Sequence, residues 1–143
     1  LVLGLFKREV PEIANGAVEI SAIAREAGGR TKVAVSSKQS GVDPVGACVG
    51  QKGVRVQAVI SELGGSEKVD IIQFSTDAAD FISRALAPAK DIEVTLDETN
   101  QQATAMVPSS YLSLAIGLGG QNVRVAAKLT KWKIDIKGKD VPE

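Results

Sequence analysis

A chain of 143 residues with 44% apolar content has the material for one medium folded domain or two small ones. It carries 17 basic and 17 acidic residues, one cysteine (Cys48) and no histidine. An internal disulfide, a Cys/His zinc site and Ser-His-Asp or Cys-His chemistry are therefore excluded within it. Its few aromatics (Phe6, Phe74, Phe81, Tyr111, Trp132) equip it poorly for stacking bases on an aromatic platform.

Leu1 to Phe6 spaces its apolar residues (Leu1 with Leu5, Val2 with Phe6) as a helix does. The start at Leu1 rather than Met reads as an excised fragment, with no basic-then-apolar leader in view. No apolar run approaches the ~18–20 residues that span a bilayer. Pro11 opens a second turn, stopped by Gly16. Val18, Ile20, Ala22 and Ala24 alternate with polar positions, Ile23 apart, as in a strand. A turn over 27–30 and a return over 31–37, with Val33 and Val35 on one face, complete a β-hairpin.

Asp43-Pro44 is a helix start, an N-cap acceptor followed by proline at the first helical position, and Gly50 keeps that helix short. After Gly53, the residues Val56, Val59, Ile60 and Leu63 recur at helical spacing until Gly64-Gly65. Residues 68–74 read as a buried strand. The order then repeats. Thr76 caps a helix with Phe81 and Ile82 facing inward, and strands over 91–97 and 102–108 flank a turn. A short helix starts at Ser109 or Ser110, another runs from Gln121 to about Thr130, and a strand covers 132–137. The fold class is therefore α+β, with domains expected at 1–75 and 76–143.

Each half holds one Gly-x-x-Gly between two helices: Gly50-Gln51-Lys52-Gly53 and, 67 residues on, Gly117-Leu118-Gly119-Gly120. At that offset Val56, Val59 and Ile60 fall on Val123, Ala126 and Ala127, although Leu63 falls on Thr130. Glycines at both ends let a loop approach a partner closely, and a helix N-terminus beyond it attracts anions. Apolar residues on either side, Val49 and Val56 or Ile116 and Val123, would form one wall of a groove for bases. The charge distribution agrees. Residues 30–61 carry five basic residues against Asp43, a net +4, and 101–139 carry six against Asp135, a net +5. The intervening 62–100 hold nine acids against three bases, a net −6. The alternative is that these lysines are merely solvated.

With "DPVGACVGQKGVRVQAVISELGGSEKVDII" and "AIGLGGQNVRVAAKLTKWKIDI" in the order αββααβ, each half resembles a type II KH domain. The tandem pair is similar to the KH modules of the NusA family of bacterial transcription elongation factors, from about Lys7 to Lys137. The resemblance implies a three-stranded mixed sheet packed against helices in each domain. It further implies binding of single-stranded RNA, the nascent transcript, across both modules, with no catalysis, no cofactor and a cytoplasmic location. RNA polymerase would be met through domains not present in this chain, and antitermination or ribosomal proteins are further candidate partners. A monomer is expected.

The residues expected at RNA are Gly50, Gln51, Lys52, Gly53, Arg55 and Val56, with Ser37 and Lys38 at the end of the second strand. In the second half they are Gly117, Leu118, Gly119, Gly120, Gln121, Asn122 and Arg124. Lys52 suits a phosphate, and Gln121 and Asn122 suit base edges. Arg55 and Arg124 read equally as ion-pair partners on a helix. The second tetrad departs from the KH pattern, with no charge between its glycines, so any cation there would be Arg124 or Lys128. Cys48 reads as a small buried apolar residue and Trp132 as core. Asp91, Glu93, Asp97 and Glu98 read as a solvated hairpin face rather than a metal site. Two other readings stay open: a protein-protein scaffold, and a nucleotide-binding enzyme using "GLGGQNV". The second lacks both the third glycine and a preceding strand.

Overall fold

Apolar spacing and the proline and glycine stops set the elements of the first half. In this computed structural model, which describes residues 1–139, α1 (Val2–Glu9) buries Val2, Leu5 and Phe6, and Pro11 opens the short α2 (Pro11–Ala14). β1 (Val18–Glu26) pairs antiparallel with β2 (Arg30–Ser37), which pairs parallel with β3 (Lys68–Gln73). A parallel pair needs a crossover, supplied by α3 (Pro44–Val49) and α4 (Val54–Glu62). The second half repeats this order with α5 (Ala78–Ala85), β4 (Glu93–Asp97), β5 (Gln102–Pro108), α6 (Leu112–Ile116), α7 (Gln121–Thr130) and β6 (Lys133–Lys139). Each half is α+β around one three-stranded mixed sheet, in the orders β1-β2-β3 and β4-β5-β6. The chain divides into two compact units, Leu1–Phe74 and from Ser75 onward. The expected second domain runs to Glu143, and 140–143 lie outside the described residues.

In the first unit Phe6, Val10, Val18, Val33, Val35, Cys48 and Val59 form a core that excludes water. In the second, Phe81, Ile82, Leu86, Val107, Val125 and Leu129 are buried. The expected inward placement of Phe81 and Ile82 is met. Among the described residues no helix is long and apolar enough to cross a membrane.

Local details differ from the sequence expectations. A register shift between Ile20 and Ala22 breaks the simple alternation of β1: Ile20 faces Val35, but Ala22 faces Ala34 and Ile23 faces Val33. Residues opposite one another in a ladder share a face, so the shift moves Ala22 and Ala24 off the face of Ile20. β3 is not a fully buried strand. It is an edge, and only Ile72 in it is buried. Thr76 does not cap α5; Asp77 holds that position, and the Ser75 hydroxyl accepts the Asp77 N–H at 3.2 Å. Asp43 does precede α3 in extended conformation, yet its carboxylate makes no capping bond. Ser109–Tyr111 form a 3-10 turn, so α6 begins only at Leu112.

One buried carboxylate ties the first sheet together. Glu67, which precedes β3, accepts two bonds from Arg25 at 2.9 Å, the Gly28 N–H at 2.9 Å and the Thr31 hydroxyl. It thereby joins both strands and the turn of the first hairpin. The Arg25 guanidinium is the main cause that holds the Glu67 carboxyl down to about 2, against the opposing effect of burial. A carboxyl lowered on folding stabilises above its unfolded pKa and loses that contribution as pH falls toward the folded one. Unfolding in urea should therefore show the native chain losing stability between about pH 4.5 and 2. Glu67→Gln, weaker by about 1–3 kcal/mol at neutral pH, should lack that component of the acid loss.

Candidate functional site

The two Gly-x-x-Gly loops have one backbone. Gly50 and Gly117 lie at φ/ψ 79/170 and 80/168, a region open essentially to glycine alone. Lys52 and Gly119 are left-handed at 56/24 and 63/21, and Gly53 and Gly120 at 77/14 and 76/12. A short 3-10 turn thus carries α3 into α4, and a second carries α6 into α7, each with its middle residues outermost.

The first glycine of each tetrad is held against the residue five positions on. A β-carbon at Gly50 would stand 2.7 Å from Arg55 Cγ and 3.0 Å from its backbone nitrogen. At Gly117 it would stand 2.6 Å from the Asn122 nitrogen. Both partners also reach back to the preceding helix. Arg55 Nη1 donates to the Ala47 carbonyl at 2.7 Å and to Glu12 Oε1, on α2, at 2.9 Å. Asn122 Nδ2 donates to the Ala115 carbonyl at 2.9 Å and to the Leu86 carbonyl, after α5, at 3.2 Å. These two residues latch the loop to the body of its unit. By contrast, a β-carbon at Gly53 or Gly120 meets nothing nearer than 4.0 and 3.7 Å.

The electrostatics narrow the expected sites. In the first positive block Arg30 and Lys32 both bond Asp70 across the parallel ladder, at 2.6 and 2.8 Å. Burial draws the Lys32 ammonium below its ordinary pKa, which Asp70 partly counters. Lys38 pairs with Glu19 at 3.0 Å, and Arg55 with Glu12. Among the described residues Lys52 is the one cation of that block without an ion partner, and it is exposed. The block is therefore not a uniform patch. In the second positive block Arg124 Nη1 donates to the Gly119 carbonyl at 3.1 Å, which sets its guanidinium against the loop. Lys133, Lys137 and Lys139 instead lie along β6, Lys139 on Glu93.

Gly50, Gln51, Arg55 and Val54 are brought together with Asp43 and Glu12 around a cleft of about 650 Å³. Val56 is half-buried behind the loop. Lys38 lines a different cleft, of about 380 Å³, with Leu3, Lys7 and Ile13. The Ser37 hydroxyl is spent on Gln39, donating to its carbonyl at 2.6 Å and accepting its N–H at 3.1 Å. Asn122 is fully buried, so its amide positions the loop from within; Gln121 beside it is half-buried. Leu118 is 96% exposed. The latching roles of Arg55 and Asn122 were not foreseen, and their only sequence signal is the shared position five residues past the first glycine. Cys48 is buried, and burial with the nearby Glu12 pushes its thiol up to about 11. Among the described residues no group of acids or cysteine is placed to hold a metal ion.

Comparison with known proteins matches residues 1–74 to the NusA-like first KH domain and residues 78–142 to the NusA-like second KH domain. Transcription termination/antitermination protein NusA of Bacillus subtilis is 53% identical over 96% of this chain and 37% of its own length. The protein of that name from Mycobacterium bovis is 54% identical over 99% of this chain and 41% of its own. The one from Thermus thermophilus is 53% identical over 97% and 36%. The chain thus spans well under half the length of these relatives. The crystal structure of APE1850 shares the fold, with a TM-score of 0.59 and 20% identity over 95% of each chain.

The two glycine classes should separate on substitution. Gly50→Ala and Gly117→Ala should each cost roughly 2–4 kcal/mol in urea unfolding, and Gly53→Ala and Gly120→Ala about 1 kcal/mol. Cys48 should resist alkylation at about pH 8 in the folded chain and react once denatured.

Proposed function

The chain belongs to the family of NusA-like tandem KH domains, and on that premise we propose that it holds single-stranded RNA on its two Gly-x-x-Gly loops. The RNA would be the nascent transcript, and the chain would serve the termination and antitermination for which its relatives are named. Lys52 is the observation that carries this reading. A left-handed backbone costs an ordinary residue about 1–2 kcal/mol, a steric penalty that a glycine there would escape. The lysine stands there nonetheless, exposed at the loop tip, while every other cation of its block has an acidic partner. A strained, unpaired, outward cation between two glycines suits an external anion, and a phosphate diester is that anion in RNA.

In this reading Gly50–Gly53 hold a phosphate, with Gln51 and Lys52 outermost, and bases run along Val49, Val54 and Val56. Gly117–Gly120 with Gln121 and Arg124 form the second contact. Arg55 and Asn122 act as latches, and Ser37 and Lys38 are not included. The activity is binding, not catalysis, and needs no cofactor. RNA polymerase would be reached through parts of the longer protein, in the cytoplasm, by a monomer.

Titration with a short A-rich single-stranded RNA at several salt concentrations tests this. Gly53→Asp and Gly120→Asp should each weaken binding about tenfold or more with folding intact, since aspartate tolerates a left-handed backbone but sets a negative charge against the RNA polyanion. Lys52→Ala should flatten the log–log salt dependence by about 0.7. Unchanged affinity in both aspartate variants would overturn the RNA reading and leave a protein-protein scaffold as the role of these modules.

A further inference from the structure

The two loops offer an internal control: one backbone and two sets of tip residues. The first presents Gln51 and Lys52 and the second, at the same positions, Leu118 and Gly119. Leu118 is 96% exposed, and Leu114 and Ile116, on the helix that leads into the loop, are 46% and 36% exposed. Their counterparts 67 residues earlier are Ala47, Val49 and Gln51, so within the tetrad the second tip sets an apolar residue where the first has a polar one. The first loop's exposed apolar residue, Val54, comes after its tetrad, and its counterpart Gln121 is polar.

Resting on the RNA reading above, we propose that the second loop holds the face of an unstacked nucleobase through Leu118, where the first holds a phosphate through Lys52. Bringing a phosphate onto leucine would strip water from a charge with nothing in exchange. A base has an apolar π-face that loses little by leaving water. Arg124 supplies the second half of such a surface. Its guanidinium, bonded to the Gly119 carbonyl at 3.1 Å, lies beside the tip, and a guanidinium plane is a surface on which bases stack. Gly119 also lets the loop hold this shape without the strain that Lys52 bears. The second module would thus bind with little dependence on salt, and the first with strong dependence.

The test compares the chain with Leu118→Ser and Lys52→Ala in the same RNA titration. It adds a set of RNAs in which each nucleotide in turn is made abasic. Leu118→Ser should weaken binding about tenfold at every salt concentration with the salt slope unchanged. One abasic position should cost the unsubstituted chain affinity and cost Leu118→Ser nothing further. Because Leu118 is exposed, circular dichroism should show the variant folded. Unchanged affinity in Leu118→Ser, a changed salt slope, or penalties additive at every abasic position would overturn the proposal. If Gly53→Asp and Gly120→Asp weaken binding while Leu118→Ser does not, this inference alone falls. If the unsubstituted chain does not bind RNA, both readings fall.

Discussion

Where α3 gives way to α4, the backbone of Gly50 runs against Arg55 so closely that a single added carbon would overlap it, and Gly117 meets Asn122 in the same way. The remaining features of each loop depend on that contact. It forces a backbone region that only glycine enters, which in turn swings the next residues out and lets the following helix start within one turn. The outward pair between the glycines is exposed because the first glycine is not free to move. A loop built this way is rigid at its base and chemically open at its tip.

The two units secure the same geometry with different chemistry. In the first, Arg55 spans from the loop to Glu12, so α2 and the loop share an ion pair that is partly open to water. Pairs of that kind contribute little to stability, and their use here is positional. In the second, the side-chain amide of Asn122 does the work inside the core, and its Oδ1 is buried without a hydrogen-bond partner. An orphaned buried acceptor costs free energy, so this latch is tighter in space but less fully satisfied. Cys48 and Ala115 occupy equivalent places behind the two loops, both fully buried. The thiol there packs as a small apolar group.

Much of the fold was legible in the sequence because its punctuation is local. Pro11, Pro44, Gly50, Gly64 and the glycines of the second tetrad mark helix ends by backbone chemistry that needs no distant partner. The strand pattern was legible up to Ser21, where one extra residue reverses the faces without any change of composition. Charge was the least legible quantity. Arg30 and Lys32 share Asp70, and Arg55 meets Glu12, across roughly forty positions of sequence, and counting within a window cannot see such pairs. At the loops, the two glycine tetrads and their place between helices were readable from spacing alone. Asn122 was not, because an amide in a first helical turn has the same sequence signature whether it faces solvent or core.

The left-handed residue at the tip has a consequence for how such a module can change. Its side chain points away from the core, its backbone is held by glycines on both sides, and the latch that sets the loop lies elsewhere. Lysine in one unit and glycine in the other occupy it with backbone angles differing by only a few degrees. The fold is therefore insulated from what the tip carries. Any residue but glycine there bears a backbone cost of about 1–2 kcal/mol yet leaves the loop in place, so the tip can vary while the modules remain interchangeable as scaffolds.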